Sequence, residues 1–285
     1  MPFENEIIDC ILHYNPDGEI VDDGICKKVV VRGKNLTLRV LPVPFTCMEE
    51  LSPTYFQKQS LEHASQGIQL VHLWQDCWIA KQEIVRSRIA ALSGSGTRIM
   101  ARRTKVWRIA RDVMFDFFST NHLQDFVDAR YNYGLYSDEG KLLAVASFSA
   151  GRKVNRNGIT VRSFELVRYA NLLHHCVTGG LGKLIARFIK EVNPDDIMTY
   201  ADLDWASGKC YQTLNFVQTA ITSPLTFWIH PAEMIRYYPH RLPKQLTDEF
   251  NRRDKNGKIE DFLKDKGYVR IYNAGNLKYL LVCSS

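Results

Sequence analysis

The sequence predicts an α/β (α+β) protein, with a mixed central sheet and flanking helices preceded by a small α+β domain. Three observations carry this expectation. Strand-like and helix-like segments alternate from Lys105 to Pro231, as in a sheet with helices on its faces. The glycine-rich turn "CVTGGLGK" (Cys176–Lys183) joins a long strand pattern to an amphipathic helix pattern. A Ser/Gly patch at Ser93–Gly96 marks a change of pattern and the best domain boundary.

In the first part, "KKVVVRGKNLTLRVLPV" (Lys27–Val43) reads as a hairpin about Gly33, Lys34 and Asn35. "YFQKQSLEHASQGIQLVHLW" gives a helix, a stop at Gly67 and a strand over Ile68–Trp74. "CWIAKQEIVRSRIAALSG" is a second helix, with Trp78, Ile79, Ile84, Val85 and Ile89 at helical spacing. Beyond the patch, "RRTKVWRIA" predicts a strand and "RDVMFDFFSTNH" a helix. "YNYGLY" and "KLLAVASFSAG" are strands joined by "SDEG", where Gly140 accommodates a positive φ. "ITVRSFELVRYANLL" is a long strand, Leu181–Val192 a helix and "DIMTYADLDW" a strand. "SGKCYQTLNF" is a short helix, "SPLTFWIHP" a last strand, and the closing "KGYVRIYNAGNLKYLLV" a hairpin about Ala274–Asn276. The expected domains are 1–95, 96–231 and 232–285, the last a basic extension packing on the second.

The 285 residues are 45% hydrophobic and 24% charged, enough to bury a core and stay soluble. The acidic opening "MPFENEIIDC" resembles no leader, and no stretch approaches the roughly 18 apolar residues of a membrane span. The expectation is a cytoplasmic, intracellular protein with no membrane partner. Cys10, Cys26, Cys47, Cys77, Cys176, Cys210 and Cys283 are scattered without a CxxC pair, against a zinc ribbon or a disulfide framework. They read mostly as small core residues. The net charge of +6 is uneven: residues 1–95 hold 12 acids and 9 bases, residues 96–285 hold 19 acids and 28 bases. A basic second part suits a polyanionic partner, nucleic acid or a phosphorylated cofactor.

The glycine turn has two readings from its residues alone. One is a plain turn. The other is an anion cradle: consecutive N–H groups at Gly180–Lys183 converge, glycine admits close approach, and the helix dipole adds roughly half a positive charge. Lys183 adds a full one.

The order of elements from Lys105 to Pro231 resembles the GNAT acyltransferase fold over about 125 residues. "ELVRYANLLHHCVTGGLGKLI" is similar to the strand, pyrophosphate loop and helix that hold coenzyme A in that family. "IMTYADLDWASGKCYQTLNF" is similar to the following strand and helix, and "YGLYSDEGKLLAVASF" to the preceding hairpin. Val177 stands where the family has Gln or Arg, and Asn215 where it has Gly. A narrower resemblance is to the GNAT-type domain of phage Mom-like DNA-adenine modification proteins. An equal one is to homing-endonuclease-related phage proteins with a very-short-patch-repair-like nuclease domain. It lies in the run Tyr200, Asp202, Gly208, Tyr211, Asn215 and Phe216, with "GIQLVHLWQDCWIAKQEIVRSRI" and "KDKGYVRIYNAGNLKYLL" similar to the second group.

The resemblance implies acetyl-CoA or another acyl-CoA as cofactor, at Val177, Thr178, Gly179, Gly180, Gly182 and Lys183. It implies transfer to an amine of a nucleic-acid or nucleic-acid-associated target, with DNA the expected nucleic acid. Tyr211 stands where the family often keeps a general acid for the departing thiolate, and Glu165 and Asp202 are candidate bases on adjacent strands. Glu165 and Arg168, oddly spaced on one strand, are expected on opposite faces. His174 and His175 could touch phosphate or serve structure. From the residues themselves, "RIMARRTKVWRIAR" and "GRKVNRNG" read either as a phosphate-binding surface through Arg102, Arg103, Lys105, Arg152, Lys153 and Arg156, with Trp107 or a nearby Tyr stacking on a base, or as solvated strand and loop charges. Tyr131, Tyr133, Phe148, Phe164 and Trp228 read as core. In the first domain Thr37 stands where the related nuclease has Asp, and Glu49, Glu50, Lys58 and His63 are what remains nearby. A degenerate nuclease-like remnant without metal follows. The rival readings are a non-catalytic DNA-binding protein of a phage or mobile element and an active Mg-dependent endonuclease.

Overall fold

The structure, a computed structural model, describes residues 2–45, 48–124, 126–156, 158–253 and 257–283. Cys47 and Asn157, named above, lie outside the described residues. The chain runs α1 (Pro2–Tyr14), β1 (Glu19–Asp22), β2 (Lys27–Val31), β3 (Leu36–Leu41), α2 (Tyr55–Ser65), β4 (Gln69–Trp74) and α3 (Gln75–Leu92). Then come β5 (Thr97–Met100), β6 (Lys105–Arg108), α4 (Arg111–Asn121), β7 (Tyr131–Tyr136), β8 (Leu142–Phe148), β9 (Arg152–Arg156) and β10 (Ile159–Asn171). Next are β11 (His175–Thr178), α5 (Gly180–Val192), β12 (Asp196–Asp202), α6 (Lys209–Gln212), β13 (Val217–Ile221) and β14 (Thr226–Ile229). The last elements are β15 (Arg236–Tyr237), α7 (Lys244–Arg253), α8 (Ile259–Asp265), β16 (Val269–Tyr272) and β17 (Asn276–Val282).

These elements form two compact units interleaved along the chain. One gathers Met1–Gln82, Asp202–Ser207 and Thr222–Asn276; the other gathers Glu83–Ala201, Gly208–Ile221 and Leu277–Ser285. Residues 232–276 therefore belong with the N-terminal part. The buried Asp76 explains one tie, since the Arg236 guanidinium bonds it at 2.5 and 3.0 Å. Gln57 supplies another, donating to Thr222 O and Ala274 O.

The first unit holds a four-stranded sheet in the order β1-β2-β3-β4. The hairpin β2–β3 is antiparallel, and β3–β4 is parallel, so α2 serves as the crossover that parallel pairing needs. Phe56 of α2 packs edge-on to His72 and Trp74 of β4. A second sheet, β15-β14-β16, packs through Trp228 with Phe262, Leu263 and Tyr268.

The second unit is built on a mixed sheet with the order β13-β17-β12-β10-β8-β7-β6. It is an α/β fold with helices on both faces. On one face, α4 places Met114, Phe117 and Phe118 against Val145 and Ala170. On the other, α5 buries Leu181, Leu184, Ile185 and Phe188, the i, i+3, i+4, i+7 stripe of an amphipathic helix. Phe188 stacks on Phe148 at 4.0 Å and meets Phe164 and Tyr131 edge-on. Tyr133, Phe148 and Phe164 are buried core residues here, and Trp228 is one in the other unit.

Several elements depart from the sequence reading. The helix over Gln75–Leu92 breaks at Lys81 (φ −141°, ψ 43°), and Ile79 is left 54% exposed. β16 and β17 do not form a hairpin: β16 pairs β14, whereas β17 lies between β13 and β12. β1, β5, β9, β11, β13 and β15 are strands the sequence did not announce. Among the described cysteines all are free thiols; Cys10 and Cys26 are buried, but Cys176 and Cys210 are exposed.

Candidate active site around the glycine turn

Parallel pairing of β10 with β12 covers only Ser163–Glu165 against Asp196–Met198. β10 continues to Asn171 and β12 to Asp202, so the two strands part beyond Glu165 and Met198. Thr199 Oγ1 donates to Leu166 O at 3.0 Å across the first step of the opening. On its other edge β10 pairs β8, and the register slips between Leu166 and Arg168. Leu166 faces Phe148 and Arg168 faces the adjacent Ser147, so Val167 is a bulge. The bulge corrects an expectation: an extra residue between them puts Glu165 and Arg168 on the same face, the one α4 covers.

The chain then turns through His174 (φ 59°) into β11, which pairs parallel with β5. Gly179 adopts φ 77° and caps α5, a conformation cheap only for glycine. Among the described residues the N–H groups of Gly180, Leu181 and Gly182 have no protein acceptor. The Lys183 N–H donates to Gly179 O at 3.1 Å, inside the helix. The Val177 N–H donates to Asn171 Oδ1 at 3.2 Å. Val177 itself is buried, and Thr178 is exposed.

Lys183 is not where charge logic alone puts it. Its ammonium donates to Ala101 O at 2.8 Å and to Thr104 O, the carbonyls of a tight turn at Ala101–Arg103. It anchors that turn and does not project from the glycine turn. Gly182 has a packing reason of its own, since a Cβ there would sit 2.9 Å from Leu214 Cδ2.

Tyr211 lies on α6, with its ring against Phe216 and Tyr279. Burial, then Cys210, pushes its phenol up to about 12, opposed by a hydrogen bond with Thr199. Asn215 has φ 63°, the left-handed region that Asn tolerates best after Gly, so its place in the family's glycine position leaves the turn intact. Gly208 (φ 73°) starts α6 where a Cβ would meet Tyr279 Oη at 2.1 Å. Glu165, half-buried, pairs with Met198 where the strands part. Asp202 belongs to the first unit, and its Oδ1 accepts the Asp204 N–H at 3.0 Å. His175 Nδ1 lies 2.7 Å from Leu173 O, and His174 N–H donates to Ser87 Oγ, so both serve the turn.

The two basic segments lie on different strands: β9 pairs the first residues of β10, and β6 pairs β7. Arg156 is also engaged, bidentate on the buried Asp196, and Arg152 Nη2 lies 3.1 Å from Met198 Sδ. Lys105 pairs with Asp138 at 3.2 Å. Arg102, Arg103 and Lys153 are exposed, and Trp107 is 60% exposed. In the first unit, Glu49 pairs with Lys264 at 2.6 Å and Thr37 is buried. Among the described residues no group of three or more His, Cys, Asp or Glu side chains is placed to hold a metal ion. No helix among them is long and apolar enough to cross a membrane.

Asn171, Thr199 and Tyr169 lie beside the parting strands and the glycine turn, and the sequence did not single them out. All three act through hydrogen bonds that close only in the fold.

No protein-family model matches the sequence, and no curated protein matches it. Solved structures are similar to part of it. A chain of a KacTA–DNA complex is 21% identical over 41% of this chain and 86% of its own, at a TM-score of 0.31. The Vibrio cholerae spermidine/spermine N-acetyltransferase SpeG is 9% identical over 64% of this chain and 94% of its own, at 0.36. A Bacillus subtilis acetyltransferase in complex with CoA is 15% identical over 64% and 99%, at 0.34.

Proposed function

We propose that the second unit is an acyltransferase of the GNAT type, using acetyl-CoA or another acyl-CoA and acting on an amine of a nucleic-acid or nucleic-acid-associated target. The observation that carries it is the parting of β10 from β12 beside a helix start whose first three N–H groups have no protein acceptor among the described residues. Those N–H groups, of Gly180, Leu181 and Gly182, fit a pyrophosphate. Val177 N–H and the Lys183 ammonium are already engaged and are not counted among its ligands. The nucleic-acid target is supported by the basic second part and by the exposed Arg102, Arg103 and Trp107.

When bound, acyl-CoA supplies an activated acyl thioester. Glu165, at the mouth of the parting, accepts the proton that the acceptor amine loses on attack. The Tyr211 phenol is protonated at neutral pH, burial raises its pKa further, and it would supply that proton to a leaving sulfur. Thr199 orients that phenol and is tied in turn to Leu166 O. Asp202, engaged within its own turn, is the weaker candidate base.

Thermal unfolding with acetyl-CoA, CoA and double-stranded DNA tests the reading. A ligand at about 100 times its Kd stabilises by about 2.7 kcal/mol. Acetyl-CoA raises the midpoint if the reading holds; stabilisation by DNA with none by acetyl-CoA favours the non-catalytic DNA-binding reading.

A further inference from the structure

We infer that Asn171 is a positioning residue that locks the glycine turn and the Tyr169 phenol to one oxygen at the end of β10, and so sets the affinity for the cofactor. This rests on the acyl-CoA reading above. Asn171 is the last residue of the strand that parts from β12. Its Oδ1 accepts the Val177 N–H at 3.2 Å and the Tyr169 hydroxyl at 2.9 Å, which uses both lone pairs of the carboxamide oxygen. Val177 stands three residues before Gly180, the first residue of α5, so its position is passed directly to the helix start.

The intervening turn is pinned elsewhere too. Leu173 N–H donates to Asn121 Oδ1, His174 N–H to Ser87 Oγ, and Thr97 N–H to His174 O. Those bonds hold the tip of the turn. Asn171 alone among these partners lies on the parting strand and also touches a phenol of the site. The Tyr169 hydroxyl is the donor to Asn171, burial raises its pKa further, and Cys176, Cys210 and Tyr211 stand close enough to act on it electrostatically. One oxygen therefore connects the parting strand, the glycine turn and the surroundings of Tyr211. A side chain without an acceptor at position 171 leaves two donors unmatched and frees the turn to shift.

Calorimetric titration of CoA into the full chain tests this with Asn171→Leu, Tyr169→Phe and the double variant. Asn171→Leu is expected to raise the Kd at least about tenfold, and Tyr169→Phe about threefold. The double variant is expected to match Asn171→Leu, because both changes act through the same oxygen. A general packing defect would instead add the two losses, and that result overturns the inference. Binding by Asn171→Leu equal to wild type overturns it as well, with the acyl-CoA reading left standing. Failure of the wild type to bind CoA removes that reading itself. Should Asn171→Leu not fold, hydrogen exchange on the wild type decides. The Val177 N–H is expected to exchange at least about 100-fold more slowly than in an unstructured chain. An unprotected Val177 N–H overturns the inference.

Discussion

Replacing His72 with glutamine should flatten the acid limb of the stability curve of the first unit. His72 is fully buried on β4, opposite Arg39 of β3 in the parallel register. Its Nε2 lies 2.9 Å from Ser60 Oγ and 3.3 Å from Phe56 O, and its Nδ1 has no hydrogen-bond partner among the described residues. Burial, and then the Arg39 charge, pull the imidazole from 6.5 down to about 3. In an unfolded chain the same ring takes up a proton below 6.5, so between the two values the unfolded state binds more protons. Stability is full above 6.5 and is lost as pH falls toward 3. The loss is about 2 kcal/mol between pH 7 and pH 5, and about 4 kcal/mol once pH 3 is reached. Urea unfolding at the two higher pH values, followed by tryptophan fluorescence, measures it. Trp74, Trp78, Trp205 and Trp228 all report on this unit. Glutamine keeps an amide able to bond Ser60 and Phe56 O but does not titrate. Parallel losses in the variant and the wild type would refute the assignment.

Three other positions give tests that rest on local structure. Gly208→Ala combines φ 73° with a Cβ placed 2.1 Å from Tyr279 Oη and should cost about 3 kcal/mol in urea unfolding; an unchanged midpoint contradicts the geometry. Asp204 is fully buried, and burial followed by Asp202 raises its pKa well above 3.8, so its contribution falls as pH rises from 3.8 toward the raised value. Asp204→Asn keeps an acceptor for the Ala274 N–H and should gain on the wild type steadily over that window; a constant difference opposes the account. Asn215→Gly should be neutral within about 0.5 kcal/mol, whereas Asn215→Val should cost about 2 kcal/mol, because φ 63° suits glycine and excludes a β-branched residue. Equal midpoints for the two variants would argue against that turn.

The parts of the fold legible in the sequence are those whose signal is local. The α5 stripe of Leu181, Leu184, Ile185 and Phe188 needs only helical periodicity, and Gly179 and Gly140 mark turns that need a positive φ. What was not legible depends on partners far along the chain. "NAGN" looks like a hairpin turn, but Gly275 packs against Thr222 O and Gln57, and the strands on its two sides join different sheets. The kink at Lys81 has no glycine or proline to announce it. The bulge at Val167 inverts the face of Arg168 without any special residue. At the site, the glycine turn could be singled out from residue types and spacing, and Tyr211 only from the family resemblance. Lys183 could not be placed, because the carbonyls that hold it belong to a turn some 80 residues earlier. Asn171 and Thr199 act through hydrogen bonds that no sequence pattern signals.

The amide signals of Gly180, Leu181 and Gly182 in a two-dimensional NMR spectrum bear most directly on the cofactor site. On titration with acetyl-CoA the account predicts that these three shift together and saturate, while signals from the first unit's core, such as Val71, stay in place. Three unmoved signals at saturating acetyl-CoA would contradict it.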